Sequence, residues 1–154
     1  MMQMKHWVEL QYVHPLLAAT VLSAAADYRA EYGMDFRVTD GYRTVEEQQR
    51  MKAAGKALVT SSQHQTGLAV DLAICNLDGS ECTWDFRAYQ FADMLMQHAF
   101  RRLNPIPNAK LLWGGKWKSL RDGVHWELAN VESTYPLPVP LKLPSRPIGQ
   151  VPPA

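Results

Sequence analysis

Residues 68–74 read LAVDLAI, apolar at every position except Asp71. A run of this length and composition has the character of a buried strand. A carboxylate in the middle of such a strand, left without a partner, carries a large free-energy penalty or takes up a proton. The fold must therefore bring a compensating group to Asp71. The nearest candidate is His64, seven residues earlier in the polar stretch TSSQHQ, with Gly67 between them to let the backbone turn closely. A second is His125, in the late apolar segment VHWEL. Two imidazole nitrogens and one carboxylate oxygen, with a fourth position open, form a recognised ligand set for catalytic zinc, and the lack of thiolates suits a Lewis-acid site better than a closed structural one. The same residues also read as a hydrogen-bonded structural cluster, and residue physics alone leaves both readings open. His6, His14 and His98 have no comparable setting: His98 falls on a helix face and His14 against a first helical turn.

The elements around this strand follow from periodicity and punctuation. His14 and Pro15 lead into a helix over about 15–32, with Leu17, Val21, Ala24, Tyr28 and Tyr32 as its apolar stripe and Gly33 as its stop. DFRVTD at Asp35–Asp40 alternates as a half-buried strand. Thr44 and Glu47 form a capping-box pattern that starts a second helix ending near Ala54 and Gly55. TSSQHQ is expected to be a loop. Phe91, Leu95, Ala99 and Leu103 predict a long helix over about 86–103, broken by Asn104 and Pro105. Lys110–Trp113 and Val124–Leu128 predict two short strands around a Gly114, Gly115 turn. Strands with intervening helices of unequal length and short late links point to an α+β fold, a single domain with a small, mainly antiparallel sheet and flanking helices.

Seven of the ten prolines lie in residues 135–154, which carry no acidic residue. Such a segment favours polyproline II geometry and cannot join a central strand, so the domain is expected to span 1–134 with a proline-rich tail or strap at 135–154. Sixteen Lys and Arg against fifteen Asp and Glu leave a net charge of +1, no field for nucleic acid or an anionic membrane. Leu16–Ala26 resembles the apolar core of a signal peptide, but Glu9 and a single Lys precede it and the helical stripe runs past the cleavage-like alanines. An amphipathic helix, too short for a bilayer, and retention in the cytoplasm are expected. Cys75 and Cys82 are too few for a disulfide scaffold and are expected to be reduced and structural, with a loop-closing disulfide or a redox role as the alternatives.

SSQHQTGLAVDL, with SxHxxGxAxD at Ser62–Asp71, resembles the first metal motif of the VanY-type zinc peptidases. This group holds D-alanyl-D-alanine carboxypeptidases and dipeptidases and the L-alanyl-D-glutamate peptidases used as phage endolysins. VTDGYRTVEEQ at Val38–Gln48 is similar to the family's GYR segment, and WGGKWKSLRDGVHWEL at Trp113–Leu128 to its second metal motif. The opening YVHPLL is similar to the endolysin branch. The motifs occur in the family's order across most of residues 10–128.

The resemblance implies a hedgehog/DD-peptidase-like fold, with zinc bound by His64, Asp71 and His125. It implies that Asp122, three residues before the last histidine, is the catalytic acid and base. Glu127 is the rival, since it shares a strand face with His125; its other role is to orient that ring. Arg43 would anchor a substrate carboxylate or stabilise an oxyanion, and Ser62 would hydrogen-bond substrate; a structural bridge and an ordinary loop serine are their plain alternatives. Lys116 stands where many relatives carry an acid, and Leu120 where they carry an aromatic. The activity so implied is hydrolysis of bacterial peptidoglycan stem peptides, as a monomeric L-alanyl-D-glutamate endopeptidase of phage endolysin type, made in the host cytoplasm and acting on the wall after release. A D-alanyl-D-alanine carboxypeptidase or dipeptidase is the alternative enzyme, and a non-catalytic zinc module the alternative class.

Overall fold

The computed structural model describes residues 10–56, 62–119 and 121–133. Helix α1 spans Pro15–Tyr32 and opens on His14, whose Nδ1 accepts the Leu16 N–H at 3.1 Å. Gly33, in the left-handed region at φ 67°, closes it by donating its N–H to Arg29 C=O. Leu17, Val21, Ala24 and Tyr28 are buried as their spacing predicts, whereas Tyr32 is exposed and its ring meets Phe91. Helix α2, Val45–Ala53, carries the predicted capping box, with Thr44 Oγ1 accepting the Glu47 N–H and Glu47 accepting the Thr44 N–H. Helix α3 spans Phe86–Leu103.

The predicted inner stripe of α3 is corrected. Phe91 and Leu103 are exposed, and the buried face is Tyr89, Ala92, Asp93, Met96, Ala99 and Phe100. Hydrophobic spacing misses this phase because the face contains a charge. Asp93 is hidden by the Trp126 indole N–H at 3.1 Å, the Gln97 amide at 3.1 Å and the Lys116 ammonium at 3.6 Å. Lys116, in an acidic position of the resembling pattern, thus serves here as a countercharge for Asp93.

Among the described residues, five strands form one antiparallel sheet: β1 Asp35–Asp40, β2 Ala69–Cys75, β3 Cys82–Thr83, β4 Lys110–Trp113 and β5 His125–Ala129. The order is β1-β2-β5-β4, with β3 paired to the end of β2. Helices α1 and α3 pack on each other, and α1 also packs on β1. Their inner faces join the sheet in one core around Leu17, Phe36, Leu72, Ile74, Met96 and Trp126. The α+β class and the antiparallel sheet follow the sequence expectation; strand β3 was not foreseen. No helix among the described residues is long and apolar enough to cross a membrane. The proline-rich segment 135–154, Leu120 and His6 lie outside the described residues.

The cysteines are a second correction. Cys75 and Cys82 form a disulfide between facing positions of β2 and β3. The antiparallel register that makes them neighbours depends on the tight Asn76–Glu81 connection, where Asn76 and Glu81 bond to each other through backbone and side chain, and thiol counting cannot see it. Closing so short a loop is worth about 2.5 kcal/mol through the unfolded chain. Replacing both cysteines with serine is expected to lower the melting temperature by roughly 5–10 °C. Thermal unfolding of the double variant against the oxidised protein measures this; an unchanged midpoint would mean that the hairpin hydrogen bonds suffice.

Candidate metal centre

Strand pairing builds most of the site. Asp71 on β2 lies directly opposite His125 on β5 in the antiparallel register, which puts their side chains on one face. His64 reaches the same point from a 3-10 turn, Gln63–Thr66, where an unstructured loop was expected. Ser62 caps that turn, its hydroxyl oxygen accepting the His64 N–H at 3.3 Å. Gly67, left-handed at φ 70°, then swings the chain into β2. His14 donates its backbone N–H to Gly67 C=O at 2.8 Å, so the opening motif braces the His64 turn.

The three donors converge. Asp71 Oδ1 is 3.0 Å from His125 Nδ1 and 3.3 Å from His64 Nε2. One ligand atom from each residue lies within 4.8 Å of the others, with both histidines buried and Asp71 half-buried. Each ring also has its far nitrogen on an acceptor. His64 Nδ1 is 2.8 Å from Gly41 C=O, and His125 Nε2 is 3.0 Å from Glu127 Oε1. A ring held this way presents its other nitrogen to the cluster, as metal-binding imidazoles do. The donor set therefore fits a zinc ion held by His64 Nε2, Asp71 and His125 Nδ1.

Electrostatics agree with a site shaped for a cation. Burial would raise the Asp71 pKa, but hydrogen bonds from His125 and His64, and then their charge, hold its carboxyl well below the ordinary range. Burial likewise opposes a charged His125, yet hydrogen bonds to Asp71 and Glu127 outweigh it and push the ring up to about 9. Without metal, a proton thus takes the place of the cation. Since this pKa exceeds the ordinary 6.5, the contribution of His125 to stability is complete below about 6.5 and is lost as pH rises through about 9. Chelator-treated protein is expected to lose stability as pH rises across that window, on the order of a few kcal/mol in all, and so to melt at lower temperature. A flat melting profile there would show that the ring is neutral throughout.

Asp122 sits in the turn before β5 and is half-buried. Its backbone N–H donates to Gly114 C=O at 3.0 Å, and a Cβ at Gly114 would stand 2.3 Å from the Asp122 carbonyl oxygen. That close approach requires glycine. The Asp122 pKa is raised, first by burial and then by the Asp71 charge, against the opposing pull of His125, the Val124 N–H and His64. Its carboxylate therefore shares the field of the cluster while remaining outside the group of three ligand atoms. Glu127 holds His125, which is the orienting role that its strand face allowed.

Arg43 is buried, with its guanidinium bonded to Asp40 and Gln48 and its backbone N–H donated to His64 C=O at 2.9 Å. The GYR segment thus clamps His64 from two sides, through Gly41 C=O and Arg43 N–H. Sequence reasoning missed the Gly41 carbonyl, which no side-chain motif can show. It also missed Trp117, partly exposed and 5.2 Å from the His125 ring between centroids; its place in WGGKWK was the available signal.

A family model described as D-alanyl-D-alanine carboxypeptidase matches residues 56–128. The peptidoglycan L-alanyl-D-glutamate endopeptidase CwlK of Bacillus subtilis (strain 168) is 33% identical over 130 residues, covering 75% of this chain and 73% of the relative. The chain belongs to the VanY-type zinc peptidase family. Among solved structures, this member of the family is similar to the L-Ala D-Glu endopeptidase ChiX of Serratia marcescens, at 28% identity and a TM-score of 0.66, over 82% of this chain and 87% of that one. It also shares the fold of the vancomycin-resistance D,D-pentapeptidase VanY from a VanB-type cassette, solved with Zn(II), at 19% identity and a TM-score of 0.51, over 75% and 71% of the two chains. The stretch matched by the family model contains His64, Asp71, Asp122 and His125 but not Arg43.

Proposed function

We propose that this VanY-type peptidase hydrolyses the L-alanyl-D-glutamate bond of peptidoglycan stem peptides, with zinc held by His64, Asp71 and His125. The observation that carries the reading is the convergence of these three donors beside Asp122 in a chain with 33% identity to an L-alanyl-D-glutamate endopeptidase. Zinc, when bound, supplies a Lewis acid that polarises a carbonyl and acidifies water. Asp122, with its proton affinity raised by burial, takes the proton of the attacking water on its carboxylate and delivers it to the leaving amine. Glu127 keeps the His125 ring in one tautomer, and Gly41 does the same for His64. Trp117 forms a wall beside His125 against which a substrate can lie. Arg43 and the Ser62 hydroxyl complete the peptide-binding side next to His64, as the family resemblance implies.

We further propose that the chain is a monomeric phage endolysin, made in the host cytoplasm and active on the wall after release. The likeness of YVHPLL to the endolysin branch supports this, and the Cys75–Cys82 disulfide suits work in an oxidising envelope. Digestion of purified peptidoglycan with and without a chelator, followed by mass spectrometry of the new termini, tests the activity. New L-alanine carboxyl termini that vanish with chelator are expected. Release of terminal D-alanine alone would move the chain to the carboxypeptidase reading, and no new termini with zinc supplied would leave a non-catalytic zinc module.

A further inference from the structure

A second concave surface adjoins the metal centre. It is a cleft of about 310 Å³ between the end of β1 and helix α2. Its link to the centre runs through the backbone: Asp40 pairs with Asp71 in the sheet register, and the next residue, Gly41, hydrogen-bonds His64 through its C=O. The inner wall is Asp40 with Arg43, the outer wall the face of α2 that presents Glu47, Arg50 and Met51, continued by Ala54 at its C-cap. These positions recur at helical spacing and so share one face. Beyond the helix, Gly55 takes a left-handed φ of 73° and the Lys56 N–H returns to Met51 C=O at 2.8 Å, which sets Lys56 on the rim.

The charges of the cleft do not cancel. Asp40 is bonded to Arg43, and that pair is neutral. Glu47 accepts the Thr44 N–H in the capping box and keeps its charge, so two carboxylates face three cations and the lining carries a net charge of +1. Arg50 and Lys56 have no carboxylate partner among the described residues, although both line the cleft. Between them, Met51 and Ala54 provide an apolar floor. Such a surface suits an extended chain with a short aliphatic body and a carboxylate, which a guanidinium binds through paired hydrogen bonds and an ammonium through its charge.

We propose that the cleft is a subsite for a stem-peptide carboxylate remote from the scissile bond, bound by Arg50 and Lys56. The inference rests on the peptidase reading above and extends it. It assigns recognition of a peptide's free carboxylate to two exposed cations outside the metal motifs, distinct from the buried Arg43, which is bonded to Asp40 and Gln48 and keeps its place beside His64. An acidic stem peptide then binds more tightly than the same peptide with that carboxylate amidated.

The test uses the full zinc-loaded chain and two synthetic L-alanyl-D-glutamate stem peptides, identical except for a carboxylate or a carboxamide beyond the cleaved bond. Hydrolysis kinetics and calorimetric binding are measured for the unaltered chain, Arg50→Gln, Lys56→Gln and the double variant. The carboxylate peptide is expected to show a KM about tenfold lower than the amide, at similar kcat. Arg50→Gln and Lys56→Gln together should bring the ratio close to one by raising KM for the acid alone. An acid-to-amide ratio that survives in the double variant, or is absent in the unaltered chain, overturns the subsite. If neither peptide is cleaved but the acid binds with the same dependence on Arg50 and Lys56, the hydrolytic reading falls while the subsite stands.

Discussion

Asp71→Ala is expected to lose stoichiometric zinc and to reduce peptidoglycan hydrolysis by at least about a thousandfold, while the folded domain survives. The geometry explains why this substitution outweighs others at the centre. A single oxygen of Asp71 faces both His125 Nδ1 and His64 Nε2, so its removal takes away one ligand and the negative charge that both rings share. A metal's contribution to the transition state is several kcal/mol, and each 1.36 kcal/mol is a factor of ten in rate. The metal-free variant should also be less stable at neutral pH, by an amount on the order of 3 kcal/mol, because His125 loses one of its two carboxylate partners among the described residues and keeps Glu127. Metal analysis by mass spectrometry, circular dichroism and release of soluble wall fragments measure the three effects. Full zinc occupancy and turnover in a folded Asp71→Ala protein would rule out the assigned ligand set.

The same residue shows how much of the molecule is legible in its sequence. Asp71 stands out because burial in an apolar strand forces a partner on it, and that argument needs only local chemistry. Which partner it finds is a matter of register: His125 is 54 positions away and becomes a neighbour only when β5 pairs with β2. Ordered motifs supplied what periodicity could not. Helix boundaries were readable because caps are local, as the His14 and Thr44 caps show. The inner face of α3 was not, since Asp93 lies buried on it through contacts with Trp126 and Lys116 from other elements. The Gly41 carbonyl escaped for the same reason, and the disulfide stood only as the alternative to reduced cysteines. Both depend on backbone brought together by tertiary structure, whereas a motif records side chains.

Asp122 and Glu127 have the same chemistry and lie on either side of His125, so the decisive comparison is between their effects on rate and on metal affinity. Asp122→Asn is expected to lower kcat by about a hundredfold to ten-thousandfold, the usual scale for a general acid and base, with zinc content unchanged. Its carboxylate makes no contact with the ligand nitrogens that the structure shows, and its affinity for a proton is raised by burial and by Asp71, as a group that must accept one requires. Glu127→Gln is expected to weaken zinc binding about tenfold to a hundredfold, the scale for loss of a ligand's orienting partner. Its activity should return when zinc is supplied in excess, since the proton-transfer group is intact. The cause lies in the contact at His125 Nε2: an amide can rotate to offer either an acceptor or a donor there, so the ring loses its fixed tautomer rather than its place. Steady-state kinetics at several zinc concentrations, with a chelator competition for affinity, separates the two. If Asp122→Asn turns over normally while Glu127→Gln stays inactive at saturating zinc, the proton-transfer role belongs to Glu127.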